Sequence, residues 1–343
     1  MLTIQSGKPR ITVLSLGGTI ASTHDDATSE GVTPRLGAND LVAAAPQLRD
    51  IAEVATVQFR NVPSGDLTLA DMVALSHTIE QLFDASADGV VITQGTDTME
   101  EASFAIDLLV RNDRPVVFTG AMRNPTTVGA DGLANLVAAV RVAASSDTVG
   151  LGTLVVFNDE IHAARFVRKT HTSSTATFQS PNCGPLGWVV EDRVRVVARV
   201  STLAPLRVVR EGEIPAVALL TMSLGDDARL VGPVRESGYS GAVIEGFGGG
   251  HVPAVVVPAV ERLTSSMPVV FASRTGSGEL LSNTYGFAGS ERDLLSRGVL
   301  SAGSLDARKA RVLLSLILAS EVELGHVSET FQRVIDSIWS FAP

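Results

Sequence analysis

The chain is short of cysteine, lysine and aromatic residues. A single cysteine, Cys183, leaves no partner for an internal disulfide, so a disulfide scaffold is excluded and a reducing compartment is the expected setting. Lysine occurs only at Lys8, Lys169 and Lys309. Basic side chains as a class are outnumbered: 27 Lys and Arg face 37 Asp and Glu, giving a formal net charge of −10. Such a surface repels phosphate backbones and argues against nucleic acid as a partner. No run of about 18 apolar residues is present to cross a bilayer. The first apolar run, Ile11–Leu16, ends at a glycine pair and lacks the basic start and small-residue cleavage site of a secretory signal. The expectation is a soluble cytoplasmic protein with no membrane partner.

Several catalytic signatures are missing too. The six histidines (His24, His77, His162, His171, His251, His326) include no pair at i, i+4 spacing, and Cys183 has no partner thiol, so neither a zinc site nor any other metal is expected. The P-loop pattern and the G-x-S-x-G nucleophile elbow are both absent. The run from Gly246 to Gly250 begins like a dinucleotide fingerprint, but His251 occupies the third glycine position. It reads better as a tight strand-to-helix turn.

What is present is a core-forming chain of 343 residues, 45% apolar and 19% charged. At ~100–200 residues per domain this predicts two domains. A unit recurs in which a short apolar run leads into a small polar or glycine-rich turn and then a helical stretch. Ile11–Leu16, Gly89–Thr93, Pro115–Phe118 and Leu154–Phe157 are such runs, rich in β-branched residues and apolar on both faces, as strands of a helix-covered parallel sheet should be. Thr68 and Asp71 form a capping box that opens a helix. Further helices are expected from Met99 to Asn112 and from Asp131 to Ser145. The fold class is therefore α/β, doubly wound and mainly parallel. From 191 to 215 the pattern breaks into a hairpin or strand and a link. It then resumes, with strands at 216–220, 241–244 and 268–272 and helices near 254–266, 305–320 and 328–339. The expected organisation is a larger N-terminal domain at 1–195, a linker at 196–212 and a smaller α/β domain at 213–343.

Ligands of open α/β sheets bind beyond the carboxyl ends of the strands. The residues there are Thr19, Thr96, Asp97, Thr119, Asn158, Asp159, Ser223 and the glycine run 246–250. Thr19 and Thr96 are each ordinary turn residues on their own. A hydroxyl nucleophile needs an activating base, and a buried lysine of depressed pKa could supply one. Position alone favours a solvated loop for Lys169. Its rarity and its place after a strand keep it a candidate, and Asp97 could orient a base or bind an ammonium group.

Quoted in chain order, LGGTIAST (16–23), ITQGTDTMEE (92–101), TGAMRNPTTVGADGLANL (119–136), VVFNDEIHAARFVRKTHTSSTATFQS (155–180), GPLG (184–187), GFGGGHVP (246–253) and SAGSLDARKARVLL (301–314) resemble the bacterial-type L-asparaginases and related glutaminase-asparaginases. The resemblance spans nearly the whole chain, and the paired GGTIA and GTDTMEE motifs are highly specific to that family. It implies an amidohydrolase that needs no cofactor. Thr19 would be the nucleophile that forms an acyl-enzyme. Thr96, Asp97 and Lys169 would form the second catalytic group, with Lys169 as base and Asp97 also binding the substrate ammonium. The Thr96 N–H would face the oxyanion and the Ala121 carbonyl would hold the leaving amide nitrogen. Ser64 would hold the α-carboxylate, and Glu291 would reach the α-ammonium from a neighbouring subunit of a homotetramer built as a dimer of dimers. Without the resemblance, Glu291 reads as an acid stabilised at a helix N-terminus.

Three positions depart from the family pattern. The loop Thr23–Arg35, expected to act as a lid, holds no tyrosine, and Val32 falls nearest the place where the family carries one. Tyr285 is a speculative substitute whose plainer reading is packing. Gly65 follows Ser64 where a longer amide or acid is common, removing a substrate contact. His251 replaces an asparagine in the glycine-rich turn. L-asparagine is the expected substrate. L-glutamine stays open as a comparable or preferred one, and a non-catalytic amino-acid-binding protein is the alternative of another class.

Overall fold

The computed structural model describes residues 7–24, 31–209 and 212–341. It divides into two compact units. The first runs to Thr202 and recovers Phe341; the second is Leu203–Ser340. The division falls inside the stretch read as a linker. Within the first unit, Phe341 forms an antiparallel bridge with Val200 and stacks on Phe166, ring centroids 6.3 Å apart.

In the first unit the strands are β1 Arg10–Ser15, β2 Ser22–His24, β3 Val32–Pro34, β4 Glu53–Gln58, β5 Gly89–Thr93, β6 Val116–Thr119, β7 Thr153–Phe157, β8 Glu160–Ala163, β9 Arg168–Lys169, β10 Phe178–Gln179, β11 Gly187–Val190 and β12 Arg193–Val196. The helices are α1 Ala38–Ala43, α2 Leu48–Ile51, α3 Leu69–Asp84, α4 Met99–Leu109 and α5 Gly132–Ala143. Among the described residues eight strands form one sheet, in the order β12-β11-β8-β7-β6-β5-β1-β4. The five from β7 to β4 are parallel, and β8, β11 and β12 continue antiparallel. Every residue of β5, β6 and β7 is buried, so both faces are covered, which is what their unbroken β-branched runs require.

The apolar runs locate β1, β5, β6 and β7 to within a residue. The capping box forms as expected: Thr68 Oγ1 accepts from Asp71 N, and Asp71 Oδ2 accepts from Thr68 N. Strand β4, half-buried or exposed along its whole length, has no apolar run in its sequence. Nor do β8, β9 and β10 have one. Lys169, expected in a polar loop, lies on β9, a two-residue strand paired with β10. Phe178 of β10 is buried against Phe157 at the end of β7, centroids 4.9 Å apart, and this aromatic contact holds the hairpin on the sheet.

The second unit carries β13 Val217–Thr221, β14 Gly241–Gly246, β15 Val269–Ser273 and β16 Leu300–Ser301 in one parallel sheet, in sequence order. Its helices are α6 Val257–Thr264, α7 Glu291–Ser296, α8 Ala307–Ala319 and α9 Val327–Ser337. Helix α8 covers β13–β15 and buries Val312, Leu313, Leu316 and Ile317. The overall class is α/β, with a large mainly parallel sheet and a smaller parallel one. No helix among the described residues is long and apolar enough to cross a membrane.

Candidate active site

The chain leaves β1 toward β4 on one side, then returns to β5 and proceeds to β6 and β7 on the other. The strand order therefore reverses between β1 and β5, and a crevice is expected beyond their carboxyl ends. Thr19 follows β1 there and Thr96 follows β5. The two turns touch at backbone level. A Cβ placed on Gly18 would lie 2.1 Å from Gly95 N, and Gly18 sits at φ 87°, so only glycine fits. A Cβ on Gly95 would lie 2.9 Å from both Cβ and Oγ of Ser64, and one on Gly120 would lie 2.4 Å from Gln94 O. Absent side chains thus let the ends of β1, β5 and β6 and the 3₁₀ turn at Ser64–Asp66 converge. That turn is pinned by Thr98 Oγ1, which donates to Ser64 O at 2.9 Å and accepts from Gln94 Nε2 at 3.1 Å.

Lys169 closes the group. Its Nζ lies 3.0 Å from Thr96 Oγ1 and 2.5 Å from Asp97 Oδ1. The lysine side chain is 16% exposed and Asp97 is 78% exposed. One end of this triad is therefore buried and the other open to solvent. Thr96 and Ser64 are buried, Thr19 is half-buried, and Gly65 is exposed with open space where a side chain would project. Ala121 is fully buried. Its loop is held by α5, whose Asp131 carboxylate accepts from Met122 N and Arg123 N while Asn135 Nδ2 donates to Gly120 O. The absence of a side chain at Gly132 lets α5 approach Ile20 and Ala121.

The sequence reading missed Glu100. This carboxylate, 2% exposed, accepts the Lys169 main-chain N–H on Oε2 at 2.5 Å. As an acid in the first turn of α4 it reads from sequence as a dipole partner; only the fold brings β9 to it. Residues 25–30 of the expected lid lie outside the described residues. At its described ends β2 and β3 pair antiparallel, with Val32 opposite His24.

The second unit gathers the other three named residues, His251, Tyr285 and Glu291. Glu291 is the first residue of α7, after the Ser290 cap, and is completely buried. Its Oε1 accepts from Thr284 N at 2.7 Å and Tyr285 N at 2.6 Å. Its Oε2 lies 3.2 Å from His251 Nε2, within ion-pair distance but not aligned as a hydrogen bond. Burial alone would raise the Glu291 pKa. The main-chain donors at Tyr285 and Thr284, with His251, outweigh it and hold the carboxyl below its ordinary value, so it is ionised at neutral pH. The His251 ring packs edge-on to Tyr285 at 5.0 Å and Phe287 at 5.2 Å.

Residues 10–202 match the family model described as asparaginase, N-terminal, and residues 216–331 match the glutaminase/asparaginase C-terminal domain. The chain belongs to the asparaginase family. It is 36% identical to L-asparaginase 2 of Escherichia coli (strain K12) over 331 residues, covering 95% of this chain and 93% of that protein. It is 34% identical to a probable periplasmic L-asparaginase of Haemophilus influenzae over 330 residues, 94% and 93% of the two chains. The crystal structure of a probable cytoplasmic L-asparaginase from Campylobacter jejuni superposes with a TM-score of 0.86 at 33% identity, covering 95% of this chain and 99% of that one. For an asparaginase-family chain, the triad at the reversal of strand order is the natural candidate active site.

Proposed function

We propose that the protein is an L-asparagine amidohydrolase that releases L-aspartate and ammonia. The observation that carries the reading is the Lys169–Thr96–Asp97 triad at the β1/β5 crevice, facing the turn that bears Thr19. Thr19 Oγ1 attacks the side-chain amide carbon, and its proton passes through Thr96 and Lys169. The C–N bond breaks and the nitrogen leaves as ammonia, carrying a proton. Water then attacks the threonyl ester, giving aspartate and restoring the hydroxyl. The Thr96 N–H stabilises the oxyanion. The Ala121 carbonyl orients the leaving nitrogen, Ser64 binds the α-carboxylate and Asp97 binds the α-ammonium, with Glu291 contributed by a neighbouring copy in a homotetramer.

Gly65 favours a second reading, in which L-glutamine is used comparably. The open space beside it removes one constraint on substrate length, and a single methylene is worth only ~1–3 kcal/mol. A cytoplasmic location is part of the proposal; related proteins carry both cytoplasmic and periplasmic names. The deciding experiment is ammonia release from L-asparagine and L-glutamine by the protein and by Thr19→Ala. Release from asparagine that disappears in the variant supports the assignment. No release from either amide overturns it in favour of an amino-acid-binding role.

A further inference from the structure

Asp131 stands just before α5, where an aspartate ordinarily caps the helix by accepting from its first N–H groups. Here its side chain makes no cap bond. The carboxylate turns back to the loop after β6 instead, with Oδ2 accepting from Met122 N at 3.0 Å and Oδ1 from Arg123 N at 2.9 Å. Asn135, one turn along α5 and 3% exposed, completes the clamp. Its Nδ2 donates to Gly120 O at 3.1 Å and to Asp131 Oδ2 at 3.2 Å, and its Oδ1 accepts from Asn158 N at 3.0 Å. Both peptide groups of Ala121 are thus held, the one before it through the Gly120 carbonyl and the one after it through the Met122 N–H.

The consequence falls on the Ala121 carbonyl. It shares a planar trans peptide with the Met122 N–H, so the two point in opposite directions. Fixing the N–H on Asp131 aims the carbonyl away from that carboxylate. Ala121 is completely buried, and none of the described residues donates to its carbonyl. Buried main-chain carbonyls are nearly always paired, so this one calls for a donor that arrives with a ligand. An N–H bonded to a carboxylate also polarises its own peptide and strengthens the carbonyl as an acceptor. We propose that Asp131, supported by Asn135, is a positioning residue that orients the Ala121 carbonyl toward an N–H of the leaving amide nitrogen. The inference rests on the reading that this carbonyl meets that nitrogen. As Thr19 Oγ1 bonds to the amide carbon, the C–N bond breaks and the nitrogen takes up a proton and leaves as ammonia, held by one of its own hydrogens. An ester leaving group carries no such hydrogen. The clamp therefore serves cleavage of the amide and not release of the same acyl group from an alcohol.

The test is kcat/KM of the full chain on L-asparagine and on the β-methyl ester of L-aspartate, which give the same acyl-enzyme. In Asp131→Ala the value for L-asparagine is expected to fall about tenfold or more beyond any fall for the ester, since a placement error near 1 Å is worth up to about 10²-fold. Asp131→Asn, which keeps an oxygen for Met122 N, is expected to show a smaller shift of the same sign, and it carries the comparison if Asp131→Ala does not fold. Equal losses on the two substrates, or no loss on L-asparagine, overturn the proposal, because a merely structural role moves both alike. Amide hydrogen exchange at Met122 checks the clamp itself. It is expected to be faster in Asp131→Ala, and an unchanged rate overturns the proposal whatever the substrate. If the protein itself releases no ammonia from L-asparagine, the substrate reading fails and takes the proposal with it, whereas amide turnover with equal losses removes the proposal alone.

Discussion

Lys169 reaches Thr96 across 73 residues of sequence, its Nζ 3.0 Å from Oγ1, and no other lysine is placed among the residues that follow the strands. If this lysine drives proton transfer, Lys169→Met should lower kcat for ammonia release from L-asparagine by roughly 10²- to 10⁴-fold. Its ion pair with the largely exposed Asp97 is screened by solvent and contributes little to stability. A variant that stays folded by circular dichroism and keeps its kcat would remove Lys169 from the chemistry.

Glu100 provides a second test of the same site. Glu100→Gln retains an acceptor for the Lys169 N–H, whereas Glu100→Ala leaves that N–H without it, at about 1–3 kcal/mol. The alanine variant should lose more than about tenfold in kcat and the glutamine variant much less, since a misplacement of about 1 Å can cost 10²-fold. Equal kcat values accompanied by a lower Tm in Glu100→Ala would confine Glu100 to stability.

The parts of the fold and site that were legible from sequence are those with a local signature. Strands buried on both faces show as apolar runs, so β1, β5, β6 and β7 could be read directly, and the Thr68–Asp71 box announced α3. Thr19, Thr96 and Asp97 could be singled out as candidates because they lie in the turns after such strands, while the roles proposed for them came from the family resemblance. Lys169 was harder, because the two residues of β9 carry no periodicity; only its rarity and its place after a strand kept it a candidate before the family resemblance. Glu100, Asp131 and Asn135 act through contacts made by the tertiary fold, and their sequence surroundings resemble ordinary helix starts. The ring cluster around His251 was hidden for the same reason, since Phe287 lies 36 positions along the chain with no motif linking the two.

Gly18 is expected to accept no side chain. Alanine there would place Cβ 2.3 Å from Gly95 Cα and 2.1 Å from Gly95 N, at a φ of 87° that L residues rarely adopt. Backbone strain alone costs on the order of 1–3 kcal/mol, and neither turn can yield without moving Thr19 or Thr96. Gly18→Ala should lower Tm by several degrees and abolish ammonia release. Native Tm and turnover would show that the two turns separate readily.

Gly65 is the opposite case. A Cβ there meets nothing within 4 Å, so Gly65→Gln should fold normally. If the position lines the substrate pocket beside Ser64, the added amide should change the ratio of kcat/KM for L-asparagine over L-glutamine by up to about tenfold, the scale of one pocket contact. An unchanged ratio would place Gly65 outside the pocket.

His162 makes stability depend on pH away from the site. The ring is completely buried on β8, with Nδ1 2.9 Å from Ser180 Oγ, and burial lowers its pKa from the ordinary 6.5 to about 4. The folded protein therefore keeps His162 neutral where the unfolded chain takes up a proton. Its contribution is fully present above pH 6.5, is lost progressively as pH falls toward 4, and stays level below that. The separation corresponds to at most on the order of 3 kcal/mol. The Glu160 carboxylate, 3.2 Å from Nε2, opposes the effect and reduces it. Urea unfolding at pH 7 and pH 4.5 should show a steeper loss of stability in the protein than in His162→Gln, whose side chain does not titrate. Parallel losses in the two would mean that the imidazole charges inside the fold, stabilised by Glu160.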